Sequence, residues 1–274
     1  MPELPEAENI ARALKKSLSG QQIADVEVFT PAMRTSLLPL RTAGLAGKNI
    51  VGVRRRGRYV VIDLDDGRGI MMHFGMSGVV RVESAQVPRR RHEHLFLHLA
   101  DGRALRFECT RRFSLCEVCD LSAPGRWPAA LAGLGVEPLE DEFNPEYLYQ
   151  RAKKRRVCVK TLLMDNEVVV GIGNIYVAET LFAAGVSPLR ESSSLTREEC
   201  GKICAAAKEI LTRAIAAGGT TISDFLNVDG SEGKFVRELL LYGRAGQPCA
   251  RCRSLIVGCR IGGRSSFYCP QCQH

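Results

Sequence analysis

Cys249-Ala250-Arg251-Cys252 and, sixteen residues on, Cys269-Pro270-Gln271-Cys272 close the chain. Two Cys-x2-Cys pairs at this spacing can bring four thiolates to one tetrahedral zinc ion, and the gap between them fits a β-hairpin. Residues 246–274 are too few to bury a core of their own, so metal would supply the folding energy. Arg251, Arg253, Arg260 and Arg264 make the module a cationic tip without an acidic residue. Cys259 lies inside the hairpin without a partner and is expected not to be a ligand.

Outward from that module, the 274-residue chain is 45% hydrophobic and carries a formal charge of +8, with a pI near 9.0. It can build sizeable cores, and its charge suits a polyanionic partner. No run approaches the roughly 18 apolar residues of a membrane span, and the acids Glu3, Glu6 and Glu8 do not suit a secretion signal. A cytoplasmic location is expected. Eleven cysteines in such a chain argue for thiols rather than disulfides. Cys109, Cys116, Cys158, Cys200 and Cys204 read mostly as buried thiols. Cys116 and Cys119 copy a redox or metal spacing, but they fall on an apparent strand, where positions three apart face opposite ways.

Short β-type runs fill residues 22–120: Ile23 to Phe29, Ile50 to Val53, Tyr59 to Leu64, Val79 to Val82, Leu95 to Leu99, Ala104 to Phe107 and the stretch from Phe113 to Cys119. Turn signals such as Asp65-Asp66-Gly67 separate them, which predicts an antiparallel sandwich or barrel. Residues 121–141, rich in glycine and proline, read as a linker, and the pattern is helical from 142 to about 242. The fold class is therefore α+β.

The opposite end reads Met1-Pro2-Glu3-Leu4-Pro5-Glu6. Removal of Met1 would expose the secondary amine of Pro2. An ordinary α-amino group titrates at about 7.7–8.0, so part of it is neutral near pH 7 and able to attack a carbonyl-like carbon, giving a Schiff base. Glu3 is close enough to handle protons. Pro5 and Glu6 fit the first turn of a helix, which Ala7, Ile10, Ala11, Leu14 and Leu18 continue at helical spacing. A capped helix start without chemistry is the competing explanation.

Other stretches carry similar pairs of readings. Arg54-Arg55-Arg56-Gly57-Arg58 is either a solvated face or an anion contact. His92-Glu93-His94 places two histidines on one strand face, but no third metal ligand is spaced nearby. Gly171-Ile172-Gly173-Asn174 reads as a turn opening a helix, whose amides could hold a phosphate. Residues 218–234 form a polar, glycine-rich stretch that suits either a mobile lid or an ordinary surface loop.

Taken together, the Pro2–Glu6 start, the Gly171–Glu179 turn and helix, and the cysteine quartet resemble the formamidopyrimidine-DNA glycosylase family, the Fpg branch of the Fpg/Nei superfamily. The resemblance runs nearly end to end. It implies an N-terminal β-sandwich domain with flanking helices (1–130), a linker (131–141), a helix-two-turns-helix domain (142–245) and a zinc finger (246–274). It also implies a bifunctional glycosylase and abasic-site lyase acting on oxidised purines in duplex DNA, with one structural zinc, as a monomer working on nucleoid DNA.

In that resemblance the catalytic set is Pro2, Glu3, Glu6, Arg58 and Arg264. Arg58 stands where the family has a lysine, and a guanidinium is a poor proton donor. DNA contacts fall on His73, Met76, His92, Arg111, Phe113, Arg155, Arg156, Lys160, Asn174, Tyr242 and Arg264, with the duplex in a groove between the two halves. Met76, Arg111 and Phe113 match residues that fill the gap left by an everted base, and Glu179 matches a buried supporting acid. Thr220, Thr221, Ile222, Ser223, Asp224 and Phe225 match a loop that closes over the lesion. Cys109-Thr110 and Ser114 replace the family's usual Asp-Pro and glycine around Arg111. Three other functions fit parts of the pattern: an endonuclease VIII-type enzyme for oxidised pyrimidines, a catalytically weak damage-binding protein, and a zinc-ribbon regulator.

Overall fold

A computed structural model describes residues 2–122, 127–221 and 227–274. The chain forms two compact units, Met1–Ala132 with Ala217–Lys234, and Gly133–Ala216 with Phe235–His274.

The first unit begins with α1 (Leu4–Leu18), followed by β1 (Ile23–Val28), the short α2 (Leu38–Thr42), β2 (Ile50–Arg56), β3 (Tyr59–Leu64), β4 (Arg68–His73), β5 (Gly78–Ser84), β6 (Glu93–Leu99), β7 (Arg103–Cys109) and β8 (Leu115–Asp120). The strands form two four-stranded antiparallel sheets, ordered β1-β6-β7-β5 and β2-β3-β4-β8. Val60, Ile62, Ile70 and Met72 of one sheet share a core with Leu95, Leu97, Leu105 and Phe107 of the other, and Ile10, Leu14 and Leu18 of α1 pack into it. The apolar spacing read from α1 is thus what seats the helix.

β4 is absent from the strands expected above. Its Gly69-Ile70-Met71-Met72 run is buried continuously rather than alternately, because it lies inside its sheet between β3 and β8. Gly69 has no room for a side chain: a Cβ would stand 2.5 Å from Leu121 Cδ1 and 3.0 Å from the Ile62 carbonyl.

The second unit contains α3 (Pro145–Lys153), α4 (Val159–Leu163), α5 (Asn174–Ala184) and the 20-residue α6 (Arg197–Ala216). Asn144 caps α3 by accepting the Tyr147 N–H, and Pro145 occupies the first turn, where no donor is needed. Gly185 ends α5 in the left-handed conformation. Part of the expected linker is packed: the Gly135 and Val136 amides donate to Asn166 and Val168, and Val170 returns a bond to Val136.

β9 (Val257–Ile261) and β10 (Arg264–Tyr268) form the terminal antiparallel hairpin. Cys249, Ile256 and Cys269 bury with Phe182 of α5 and Leu241. The last residues are held too, since Ser187 and Gly185 exchange backbone bonds with His274, and Gln273 Nε2 donates to Val186. Among the described residues no helix is long and apolar enough to cross a membrane.

Candidate active site and nucleic-acid interface

The first turn of α1 is where the expected chemistry gathers. Glu3 is the N-cap in extended conformation, and it forms a reciprocal capping box with Glu6: the Glu3 side chain accepts the Glu6 amide, while Glu6 Oε2 accepts the Glu3 amide at 2.8 Å. Pro2, Glu3 and Glu6 are all buried. The second oxygen of Glu6 accepts the Thr220 amide at 2.7 Å. Gly219 makes that approach possible, because a Cβ there would lie 2.9 Å from Glu6 Oε1, and its φ is +86°. Glu6 therefore joins two stretches of the first unit that lie 214 positions apart in the sequence.

This changes the picture of the expected lid. Thr220 is buried and bridges to Lys234, and Thr221 Oγ1 accepts the Gly233 amide at 2.8 Å. The base of the loop is thus fastened. Ile222, Ser223, Asp224 and Phe225 lie outside the described residues.

α1 also reaches the β2–β3 hairpin. Glu8 Oε2 meets Arg55 Nε at 2.6 Å, and Arg55 Nη1 donates to the Gly57 carbonyl. Burial opposes the charge on Glu8, but the Arg55 and Arg12 hydrogen bonds outweigh it and hold the carboxyl below its ordinary range. Arg58 follows at the hairpin turn. His73, at the end of β4, stacks against Tyr59 with ring centroids 4.8 Å apart and accepts the Gly75 amide on Nδ1. Burial, then the charges of Arg58 and Arg34, push the His73 pKa down to about 4, so the ring is neutral at physiological pH.

The three expected gap-filling residues sit together. Met76 is 44% exposed and Phe113 is 51% exposed, both high for apolar side chains. The Arg111 guanidinium lies 5.1 Å from the Phe113 ring centroid, and its backbone amide donates to Ser77 Oγ beside Met76. Arg112 adopts φ +54°, a left-handed turn that separates Arg111 from Phe113. His92 is half-buried just before β6. Its neighbours form no metal site: Glu93 is fully buried and bonded to Arg90, and His94 Nε2 faces the Cys109 carbonyl at 2.9 Å. Cys116 and Cys119 are inert for a similar reason. Burial raises the Cys119 thiol to about 11 and pushes the fully buried Cys116 higher still.

In the second unit a cleft of about 280 Å³ is lined by Arg155, Val157, Lys160, Thr161, Met164 and Arg264, among others. Arg264 is exposed and opens β10, and Arg156 is exposed as well. Arg155 is half-buried and ion-paired with Asp165. Lys160 is only 2% exposed, and its ammonium donates to Ser265 O and Ser266 Oγ of the hairpin. Asn174 Nδ2 donates to the same Ser265 carbonyl at 2.9 Å. Both residues thus spend hydrogen bonds inside the protein, bracing the hairpin next to Arg264. Buried Glu179 accepts the amides of Leu240, Leu241 and Tyr242, each at 2.9 Å, and the Tyr242 ring packs edge-on against Phe267.

Three family models match in order: the formamidopyrimidine-DNA glycosylase N-terminal domain over residues 1–116, the H2TH domain of the same enzymes over 134–226, and a zinc finger found in FPG and IleRS over 246–274. The chain belongs to the formamidopyrimidine-DNA glycosylase family. Formamidopyrimidine-DNA glycosylases of Xanthomonas campestris pv. campestris (strain B100) and Stenotrophomonas maltophilia (strain R551-3) are each 44% identical to it, with both chains fully covered. A Lactococcus lactis glycosylase mutant in complex with DNA containing Fapy-dG matches with a TM-score of 0.89 at 32% identity over the whole of both chains. The wild-type L. lactis enzyme with N7-benzyl-Fapy-dG DNA matches with a TM-score of 0.90, also at 32% identity. A further L. lactis complex contains abasic-site DNA, at a TM-score of 0.88.

The family's metal fits the donors present. The sulfurs of Cys249, Cys252, Cys269 and Cys272 all lie within 4.8 Å of one another. Tetrahedral zinc with bonds of about 2.3 Å requires sulfurs about 3.8 Å apart. The observed separations of 4.0 Å for Cys249–Cys272 and 3.4 Å for Cys252–Cys269 bracket that figure. The finger is therefore a four-cysteine structural zinc site with no open position for substrate.

The sequence does not mark Ser77, His94 or Ser266 as site residues, and it marks Thr220 as part of the closing loop without its bond to Glu6. Each acts through a partner far away in sequence, which spacing alone does not reveal. The one local hint was the small, polar character of the stretches that hold them.

Proposed function

We propose that this protein is a bifunctional DNA glycosylase and abasic-site lyase of base excision repair, removing oxidised purines such as 8-oxoguanine and formamidopyrimidines from duplex DNA. The observation that carries this reading is the Pro2-Glu3 pair at the capped start of α1, where Glu3 and Glu6 exchange capping bonds, Glu6 also accepts the Thr220 amide, and Glu3 adjoins the amine that removal of Met1 would expose. The family membership and the damaged-DNA ligands of the L. lactis relatives favour the same substrate class.

In this mechanism the Pro2 nitrogen, free of Met1, donates its lone pair to the anomeric carbon of the damaged nucleotide. The glycosidic bond breaks and its electron pair leaves with the base, which takes up the proton that the Pro2 nitrogen sheds. Glu3 protonates the ring oxygen as the sugar opens, leaving an iminium between Pro2 and the sugar. That cation acidifies the adjacent C2′ proton, so β-elimination expels the 3′ phosphate and δ-elimination the 5′ phosphate. Glu3 carries the proton transfers, since Arg58 holds its proton too tightly to exchange it and suits a phosphate contact.

Met76, Arg111 and Phe113 fill the space of the everted nucleotide. Unstacking a base costs a few kcal/mol, which an apolar wedge and a donor to the widowed partner offset. Arg156 and Arg264 neutralise backbone phosphates, which makes affinity fall with salt. The protein works on DNA in the cytoplasm.

Borohydride trapping on a duplex with 8-oxoguanine opposite cytosine, followed by peptide mapping, tests the proposal. A covalent adduct at Pro2 is the expected result. Tight, salt-sensitive binding without adduct or cleavage, in protein shown to lack Met1, would instead establish a damage-binding protein.

A further inference from the structure

The loop that carries Arg111 and Phe113 departs from its family at three positions, and the structure shows what occupies them. Cys109 and Ser114, both fully buried, lie at the two ends of the loop and approach each other, with Ser114 Oγ 3.0 Å from Cys109 Sγ. Ser114 Oγ also donates to the Phe74 carbonyl at 2.8 Å. That bond crosses from the Arg111 loop to the turn that carries Met76. The crossing is close: a Cβ on Gly75 would stand 2.5 Å from the Phe113 carbonyl oxygen, and one on Gly78 would stand 2.5 Å from Ser114 Oγ. Ser77 makes a second link by accepting the Arg111 amide at 3.3 Å.

A third link comes from β6. His94 is buried, with Nε2 2.9 Å from the Cys109 carbonyl and Nδ1 3.0 Å from Thr30 Oγ1. A carbonyl can only accept, so Nε2 carries the proton and Nδ1 accepts from the threonine hydroxyl. The neutral ring this requires agrees with the lowered His94 pKa, which burial causes. His94 thus holds the entry of the loop, while Ser114 ties its exit to the neighbouring turn.

We infer that His94 and Ser114 are positioning residues, which fix the 109–114 loop and the 74–78 turn in the single arrangement that groups Met76, Arg111 and Phe113. None of the hydrogen-bonded groups need touch DNA. Their effect passes through the three exposed side chains, and the inference therefore rests on the proposed function. A loose frame would let the wedge and the arginine arrive out of register. Misplacement by about 1 Å can lower a rate by roughly a hundredfold.

Two activities of one preparation separate this role from a general structural one. Removing an intact lesion requires a stacked, paired base to be everted, whereas cleaving a preformed abasic site does not. Ser114→Ala and His94→Gln should lower excision of 8-oxoguanine by about ten- to a hundredfold, yet leave strand cleavage at an abasic site within about threefold of wild type. Combining Ser114→Ala with Arg111→Ala should cost less than the product of the two single losses, since the serine acts through the arginine's loop. An equal fall in both activities, or fully multiplicative losses, would overturn the inference. If the wild-type protein neither excises nor cleaves, the failure lies with the proposed function instead.

Discussion

The start of α1 and the terminal hairpin hold their working groups in contrasting ways. α1 is a 15-residue helix whose Ile10, Leu14 and Leu18 enter a core that draws on both sheets, and its first turn adds three amide–carboxylate bonds through Glu3 and Glu6. The hairpin has two five-residue strands, and its module buries little beyond Cys249, Ile256 and Cys269. Packing stabilises through many small terms, so the loss of one contact is absorbed. A metal quartet is a single term on which the small module depends entirely. The start of α1 should therefore lose structure gradually under substitution, and the finger all at once.

The greatest effect should follow removal of zinc. A chelator, or Cys252→Ser, should unfold the hairpin and abolish DNA binding, while the first unit retains its structure. Gel shift and amide exchange, read separately over 1–122 and 246–274, would check both halves of that expectation. Exchange that rises equally in both regions would break the contrast.

Glu3→Gln comes next. It keeps the size of the side chain and its acceptor for the capping bond but removes the carboxyl to which the proposed mechanism gives the proton transfers. Excision should fall by roughly 10²- to 10⁴-fold while binding of an abasic-site duplex stays within a few fold. Single-turnover kinetics beside binding isotherms would measure the two.

Glu6→Ala should act on stability more than on chemistry. It leaves the Glu3 and Thr220 amides without their carboxylate, at a cost of about 2–4 kcal/mol for two buried donors. Denaturant unfolding should show that loss without full unfolding, because the core beneath α1 remains.

The smallest effect at neutral pH belongs to His73, which acts only in acid. The folded pKa of His73 is about 4, below its ordinary 6.5, so its stabilising share is complete above pH 6.5 and fades as pH falls toward 4. The loss should be no more than about 3 kcal/mol over that window, and His73→Gln should flatten the pH profile of unfolding by that amount.

The same contrast explains what could be read in the sequence. The zinc quartet was legible because ligand spacing is itself the structure, and α1 because its apolar positions repeat at the helical period. β4 was not, since a strand buried on both faces shows no alternation. The bond between Glu6 and Thr220 joins positions too distant for any local pattern. Nor could the sequence show that Lys160 faces inward to Ser265 and Ser266, or that Arg155 is paired with Asp165, because a basic cluster looks the same whether its charges meet solvent or protein. Ser114 is visible in the sequence as a departure from the family pattern, whereas Ser77 and His94 are not, and the hydrogen bonds of all three emerge only from the fold.

The Glu6–Thr220 bond also has a consequence for the order in which the protein is made. The ribosome delivers Pro2 first and Thr220 only after about four-fifths of the 274 residues have been joined. Until then the turn at the start of α1 lacks one of its fastenings. In the proposed mechanism, late completion of the fold would give the nascent chain time for the removal of Met1.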